Sequence, residues 1–183
     1  MEPNQIILGI DPGTVILGYG LIDISKSQPS LVTMGVLRLS RLGDPLRRLG
    51  TIFEKVSSLI DEHHPVAVAI EAPFYGKNIQ SMLKLGRAQG VALAAAITKG
   101  LDVHEYAPRK VKQSITGNGN ASKEQVSVMV HHLLKHREGN DLLDATDAVA
   151  VALCHYYQSH TRTASTGPRN WEEFIRKNPG RVH

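Results

Sequence analysis

Residues 6–14 have the sequence IILGIDPGT, in which a short apolar run ends at a cluster of residues that break regular structure. The run is β-branched and too short for a typical helix, so it predicts a buried strand over residues 6–10. Asp11-Pro12-Gly13 ends this strand and leaves an acidic side chain at its carboxyl end. Two further strands are predicted over residues 17–24 and 31–37, with a short polar segment between them. Three successive strands with short connections favour an antiparallel meander.

The rest of the chain alternates between helices and strands. Apolar residues recur at intervals of three and four over residues 45–63, which predicts an amphipathic helix that Pro65 ends. Residues 66–70 predict a strand that is apolar throughout and therefore covered on both faces. The remaining predictions are a helix over about 78–99, a strand over 101–106, and helices over 109–115, 123–135 and 141–159, with Ser122 and Gln125 at capping-box spacing. The predicted fold class is α/β, with a mixed five-stranded sheet flanked by helices.

The composition is that of an ordinary globular domain. The chain has 183 residues, of which 42% are hydrophobic and 21% charged, and Cys154 is its one cysteine. No apolar run approaches the ~18 residues of a membrane span, no signal peptide is visible, and one cysteine cannot form an intrachain disulfide. We therefore exclude secreted, membrane-embedded and disulfide-scaffold classes and expect a cytoplasmic protein without a membrane partner. The net charge of +4 is a mild indication of a polyanionic partner.

Four carboxylates occupy positions that point to chemistry. Asp11 follows the first strand and Glu71 the fourth, although a turn-capping role and a solvated strand end would also explain them. Asp144 and Asp147 lie on one face of the last helix, and the apolar run after Asp147 leaves that acid in need of a partner. Asp141, one turn earlier, is sufficiently explained by the helix dipole.

Acids at two strand ends and on one helical turn supply oxygen ligands without imidazole or thiolate. Such a donor set suits Mg²⁺ or Mn²⁺ and disfavours Zn²⁺. Two such ions about 4 Å apart can activate a water on one side of a phosphodiester and stabilise the leaving oxygen on the other. The four acids therefore predict a two-metal site.

The chain resembles the RuvC family of bacterial Holliday junction resolvases, which have a ribonuclease-H-like fold. The resemblance covers about residues 6–157 and is carried, in order, by residues 9–14, 70–71 with Phe74 shortly after, 77–78, 83–91, 105–113, 117–126 and 144–148. The first motif alone is weak, since actin-like ATPases and sugar kinases share Asp-x-Gly-x-Thr, but the ordered set is specific. The resemblance implies an endonuclease that cuts four-way DNA junctions symmetrically with two Mg²⁺ ions, for which Mn²⁺ substitutes, and leaves 5′-phosphate and 3′-hydroxyl ends. It also implies a homodimer that cooperates with the RuvA–RuvB branch-migration complex.

The resemblance further assigns roles to individual residues. It implies that the metals are held, and catalysis performed, by Asp11, Glu71, Asp144 and Asp147. It implies that Phe74 stacks on an unpaired base at the crossover and that Lys112 and Lys123 contact DNA, although Phe74 could pack under a loop and both lysines could be ordinary surface residues.

The second helix has two further features. Lys77, Lys84 and Arg87 fall within about 80° of one another, so this face could follow DNA phosphates or simply be solvated. Gly86, Gly90 and Ala94 recur every four residues and permit close approach of another backbone. That backbone could belong to the chain's own sheet or, as the resemblance implies, to a partner subunit.

We assign residues 1–158 to a ribonuclease-H-like nuclease domain and residues 159–183 to a basic, mobile C-terminal tail that adds non-specific DNA affinity. Two other functions stay open. A non-catalytic junction-binding module is disfavoured because all four acids are retained. An actin-like phosphotransferase is disfavoured because 183 residues leave no room for a second, similar domain.

Overall fold

Ten elements follow one another in the computed structural model, which describes residues 5–73, 78–135 and 143–164. They are β1 (Ile6–Asp11), β2 (Ile16–Asp23), β3 (Ser30–Arg38), α1 (Pro45–His63), β4 (Ala67–Glu71), α2 (Ile79–Thr98), β5 (Asp102–Tyr106), α3 (Pro108–Thr116), α4 (Lys123–Leu133) and α5 (Leu143–Ala164). Each predicted strand and helix is confirmed, and only the end of α5 lies more than about two residues from its predicted position. Within the described ranges, no helix is both long and apolar enough to cross a membrane.

The strands form one sheet in the order β3-β2-β1-β4-β5. β1 pairs antiparallel with β2, and β2 pairs antiparallel with β3, which confirms the predicted meander. β4 pairs in parallel with β1, and β5 pairs in parallel with β4. The predicted mixed five-stranded sheet is therefore confirmed, with β1 at its centre. Because β1 and β4 are parallel neighbours, their carboxyl ends lie side by side.

Helices cover both faces of this sheet. On one face, Leu8 of β1 belongs to a core with Ile52 of α1 and Ala92 of α2. On the other face, Ile7 of β1 belongs to a core with Val149 of α5 and with apolar residues of α3 and α4. Alternate residues of a strand point to opposite faces, so a central strand covered on both faces must be apolar nearly throughout. This explains the continuous apolar runs in β1 and β4.

Side-chain caps precede α1 and α4, and the capping box predicted for α4 is confirmed. The Asp44 carboxylate accepts a hydrogen bond from the backbone N–H of Leu46, just ahead of the first turn of α1. Ser122 and Gln125 form both halves of the predicted capping box at the start of α4. Such caps satisfy N–H groups that have no partner within the helix.

The last helix extends farther than its sequence pattern predicts. α5 ends at Ala164 rather than near Ser159, because no glycine or proline interrupts the chain before Gly167. The predicted domain boundary between residues 158 and 159 therefore falls within this helix. Residues 165–183, which make up most of the predicted tail, lie outside the described residues.

Candidate metal centre and nucleic-acid interface

Two of the predicted acids meet at the carboxyl edge of the sheet. Asp11 is the last residue of β1 and Glu71 the last residue of β4, and the preceding residues Ile10 and Ile70 are paired in register. Both acids line one pocket of about 180 Å³, together with Pro12, Ala72, Pro73 and Leu85. The parallel pairing of the strands thus places two carboxylates, 60 residues apart in sequence, at one site.

Two glycines bring α5 against the sheet. A Cβ atom at Gly9 of β1 would overlap the backbone carbonyl of Ala148, and one at Gly18 of β2 would overlap the carbonyl of Asp144. Because these positions carry no side chain, the α5 backbone lies directly on β1 and β2. This close approach places the first turns of α5 next to the end of β1.

The resulting cluster contains three carboxylates. Asp11, Asp144 and Asp147 each offer an oxygen atom, and these atoms all lie within 4.8 Å of one another. Glu71 lies beside this group rather than in it, although its charge interacts with those of Asp11 and Asp147. The structure therefore brings the four predicted acids to one site, three of them close enough to share a cation.

Burial and nearby like charges both raise the pKa values of Asp11, Glu71 and Asp147. The pKa of Asp11 rises from 3.8 to about 7, mainly by burial and then by the charge of Asp147. The pKa of Glu71 rises from 4.5 to about 8, mainly by burial and then by the charges of Asp11 and Asp147. Burial also raises the pKa of Asp147, against the effect of a hydrogen bond from Lys123. A nearby cation stabilises the ionised form of such groups.

Lys123 supplies a cation within the protein. Its Nζ atom lies 2.6 Å from Oδ2 of Asp147 and 3.1 Å from Oδ1 of Asp144. Burial of the ammonium opposes its charge, but the hydrogen bond and charge of Asp147 outweigh burial and raise the pKa of Lys123. Sequence resemblance predicted Lys123 as a DNA contact, but no spacing along the chain predicted this pairing with the acids.

The structure describes three of the other predicted DNA contacts. Lys112 lies on α3, and its charge acts on both Glu71 and Asp147. Lys84 and Arg87 are exposed on α2 and line a groove of about 280 Å³ between α1 and α2. Phe74 and Lys77 lie outside the described residues, as does Asp141.

Arg48 is a further cation in this groove, and its local sequence did not predict it as a site residue. Its Nε atom donates to the Leu42 carbonyl at 2.6 Å, and its Nη1 atom donates to the Thr14 carbonyl at 3.2 Å. Arg48 therefore ties the turn that follows Asp11 to the start of α1. Nothing in the local pattern distinguishes Arg48 from its neighbour Arg47, because the contact to Thr14 spans 34 residues.

The two glycines that allow α5 to pack against the sheet were also not predicted as site residues, although the sequence does indicate a close backbone approach at both. A glycine inside an otherwise apolar strand often marks a place where another backbone approaches closely. Gly9 and Gly18 both stand in such strands.

The donor set fits a hard divalent cation. All the ligating atoms that the cluster offers are carboxylate oxygens, which Mg²⁺ and Mn²⁺ prefer. The ammonium of Lys123 already lies against two of these acids, so the site demonstrably accommodates positive charge.

Comparisons with known proteins agree with this geometry. The family model described as "Crossover junction endodeoxyribonuclease RuvC" matches residues 7–155. A protein of that name from Cytophaga hutchinsonii is 55% identical over 98% of this chain and 88% of the relative. One from Porphyromonas gingivalis is 48% identical over the whole of both chains. The solved structure of Thermus thermophilus RuvC in complex with a Holliday junction substrate has a TM-score of 0.80 and 32% identity, covering 87% of this chain and 97% of that one.

Proposed function

The chain belongs to the RuvC family of crossover junction endodeoxyribonucleases, and we propose that it resolves four-way DNA junctions by metal-dependent hydrolysis of symmetrically placed phosphodiesters. The products would be nicks with 5′-phosphate and 3′-hydroxyl ends. The observation that carries this proposal is the convergence of Asp11, Asp144 and Asp147 within 4.8 Å, with Glu71 lining the same pocket as Asp11.

The four acids would hold the metal in this proposal. Asp11, Asp144 and Asp147 supply the shared oxygen ligands, and Glu71 extends the set toward the end of β4. Two Mg²⁺ ions, or Mn²⁺ in their place, would supply Lewis-acid activation of water and stabilisation of the leaving oxygen. The chain's own part is to fix the positions of these acids, which it does by the register of β1 with β4 and by the seating of α5.

Basic residues near the acids would bind the DNA backbone. Arg48, Lys84 and Arg87 line one groove together with Thr14, which is three residues after Asp11. Three cations in one groove suit a strand whose flanking phosphates are bound while one phosphodiester is cut. Lys112 and Lys123 would offset negative charge near the scissile phosphate. Phe74, by resemblance, would stack on an unpaired base.

A homodimer is supported by the exposed face of α2. Ile79, Leu83 and Ile97 on this helix are 71%, 60% and 62% exposed. Gly86 and Gly90 have open space where a Cβ atom would be, so they do not serve to pack α2 on its own sheet. At 100° per residue these five positions fall within an arc of about 60°. An apolar stripe with two glycines at its centre suits close packing of a second helix.

A two-fold homodimer matches the substrate, because two strands of a four-way junction must be cut and such a dimer presents two equivalent sites. Cooperation with the RuvA–RuvB complex, DNA affinity of residues 159–183 and a cytoplasmic location stay predictions from the sequence.

The proposed function is tested with Asp147→Asn, which keeps the size of the side chain but removes its charge. We expect Mg²⁺-dependent cutting of a synthetic four-way junction to fall by at least about 100-fold, because several kcal/mol of transition-state stabilisation depend on the metal. Junction binding, measured by fluorescence anisotropy, should stay close to wild type.

Asp102→Asn is a matched control, since Asp102 begins β5 at the opposite edge of the sheet and is exposed. Near-normal cutting by Asp147→Asn would contradict the metal assignment. A wild-type protein that binds junctions but does not nick them with Mg²⁺ would support the non-catalytic alternative instead.

A further inference from the structure

Lys123 occupies a position that its own helix disfavours. It is the first residue of α4, where the helix dipole places positive charge and favours acids rather than lysine. Glu124, the next residue, is the acid of that first turn, but the Lys123 ammonium is directed away from its own helix toward α5. Local structure therefore does not explain the position of this ammonium, whereas the carboxylates of α5 do.

The contacts of Lys123 are those of a bound cation. The ammonium lies 2.6 Å from Asp147 and 3.1 Å from Asp144, two members of the three-acid cluster. Its charge also acts on Asp11, the third member. These three acids converge within 4.8 Å, so without a cation their mutual repulsion would be large. One side chain of the protein therefore offsets part of the negative charge of the cluster.

We infer that Lys123 is the resident counter-ion of the carboxylate cluster, and that a divalent ion must displace its ammonium from Asp144 and Asp147 in order to bind. This inference rests on the proposed function, because it takes these acids to be the metal ligands. Displacement would free the ammonium to pair with a DNA phosphate, the group that remains negative once the acids are neutralised. Metal binding by the acids and phosphate contact by Lys123 would then be coupled, because both require the ammonium to leave Asp144 and Asp147.

The inference predicts that removing the ammonium strengthens metal binding. In Lys123→Gln, Mg²⁺ no longer competes with a positive charge, so we expect at least about tenfold tighter binding. The measurement is isothermal titration of the DNA-free protein with Mg²⁺ alone. It is made at pH 9, above the raised pKa values that Asp11 and Glu71 have in the wild type, and under identical conditions for every variant.

Lys112→Gln is the matched control. Lys112 lies close enough for its charge to act on Glu71 and Asp147, but among the described residues no ion pair joins it to an acid. This variant removes the same charge without removing a direct contact, so we expect a smaller gain in Mg²⁺ affinity. An equal gain in both variants would overturn the inference, because it would show a general effect of charge rather than displacement.

Thermal unfolding provides a second, independent readout. In EDTA, Lys123→Gln should have a lower Tm than the wild type, because the acids lose their counter-ion. Saturating Mg²⁺ should raise its Tm by more than it raises that of the wild type, since tighter binding to the folded state stabilises it more. Unchanged or weaker Mg²⁺ affinity in a folded Lys123→Gln would overturn the inference.

The two proposals fail separately. If the wild type cuts junctions but Lys123→Gln binds Mg²⁺ no more tightly, only the counter-ion role is wrong. If Lys123→Gln binds Mg²⁺ more tightly but the wild type does not cut junctions, the counter-ion role stands and the nuclease proposal is wrong.

Discussion

Gly18→Ala tests whether the seating of α5 on β2 sets the geometry of the acidic cluster. The added Cβ atom would overlap the Asp144 carbonyl oxygen and would lie 2.7 Å from its carbonyl carbon. Ordinary van der Waals contacts between carbon atoms begin at about 3.4 Å, so α5 has to move away by about 0.7 Å or more. The obstructing atoms belong to backbone, so no side-chain rotation can relieve the overlap. The shift acts directly on Asp144 and, one turn later, on Asp147.

We expect two consequences of this shift. Overpacking of a close interface costs about 1–3 kcal/mol, which for a chain of this size lowers Tm by roughly 2–12 °C. Misplacement of catalytic groups by about 1 Å can reduce the rate by about 100-fold. We therefore expect single-turnover cutting of a synthetic four-way junction to slow by about 10- to 100-fold at a temperature where the variant is fully folded.

Gly50→Ala is the matched control for this experiment. Gly50 lies in α1, and a Cβ atom there would meet nothing within 4 Å. The same substitution should therefore leave cutting unchanged and stabilise the protein by up to about 1 kcal/mol, as expected for alanine in a helix. Wild-type Tm and cutting rate in Gly18→Ala would refute the reasoning, since the helix would then not be constrained by β2.

Three other measurements test the electrostatics and the surfaces. The folded pKa values of Asp11 and Glu71, about 7 and about 8, exceed their ordinary values, so the folded state binds more protons than the unfolded state between about pH 4 and 8. The free energy of unfolding in EDTA should therefore fall as pH rises through this range, and it should fall less in an Asp11→Asn, Glu71→Gln double variant. Equal pH dependence in the two proteins would contradict the raised pKa values of Asp11 and Glu71. Leu46→Glu places an acid on the rim of the basic groove, at a side chain that is 73% exposed. This variant should bind junctions about tenfold more weakly at low salt, and the salt dependence of its binding affinity should fall by the equivalent of about one phosphate contact. Ile97→Glu should convert a dimer to a monomer, as measured by light scattering. Val66→Glu, at the opposite edge of the sheet and 51% exposed, is the control, in which neither junction binding nor oligomeric state should change.

The secondary structure was predictable because its signals are local. The apolar run before Asp11, the capping box at Ser122 and the periodicity of α1 each depend on residues within a few positions of one another. The end of α5 was misplaced because a polar composition after residue 159 suggested a tail. Composition alone does not end a helix when neither glycine nor proline is present, and α5 continues to Ala164.

That the predicted acids need partners was also predictable, because an acid beside apolar segments requires one wherever the chain folds. Their ordered motifs predicted the family, which the comparisons confirm. The glycines that seat α5 carried a usable signal, since glycine within a buried strand indicates close backbone approach. The sequence did not indicate which element would approach Gly18.

The sequence alone therefore determined the elements, the fold class and the residue types of the site. The tertiary structure decided the contacts between elements: Lys123 of α4 against Asp147 of α5, Arg48 of α1 against the Thr14 carbonyl, and Asp144 beside Asp11. The reason is physical. Spacing along the chain specifies which side chains share a face of one helix or strand, whereas contacts across 24, 34 or 133 residues depend on how the elements pack around β1.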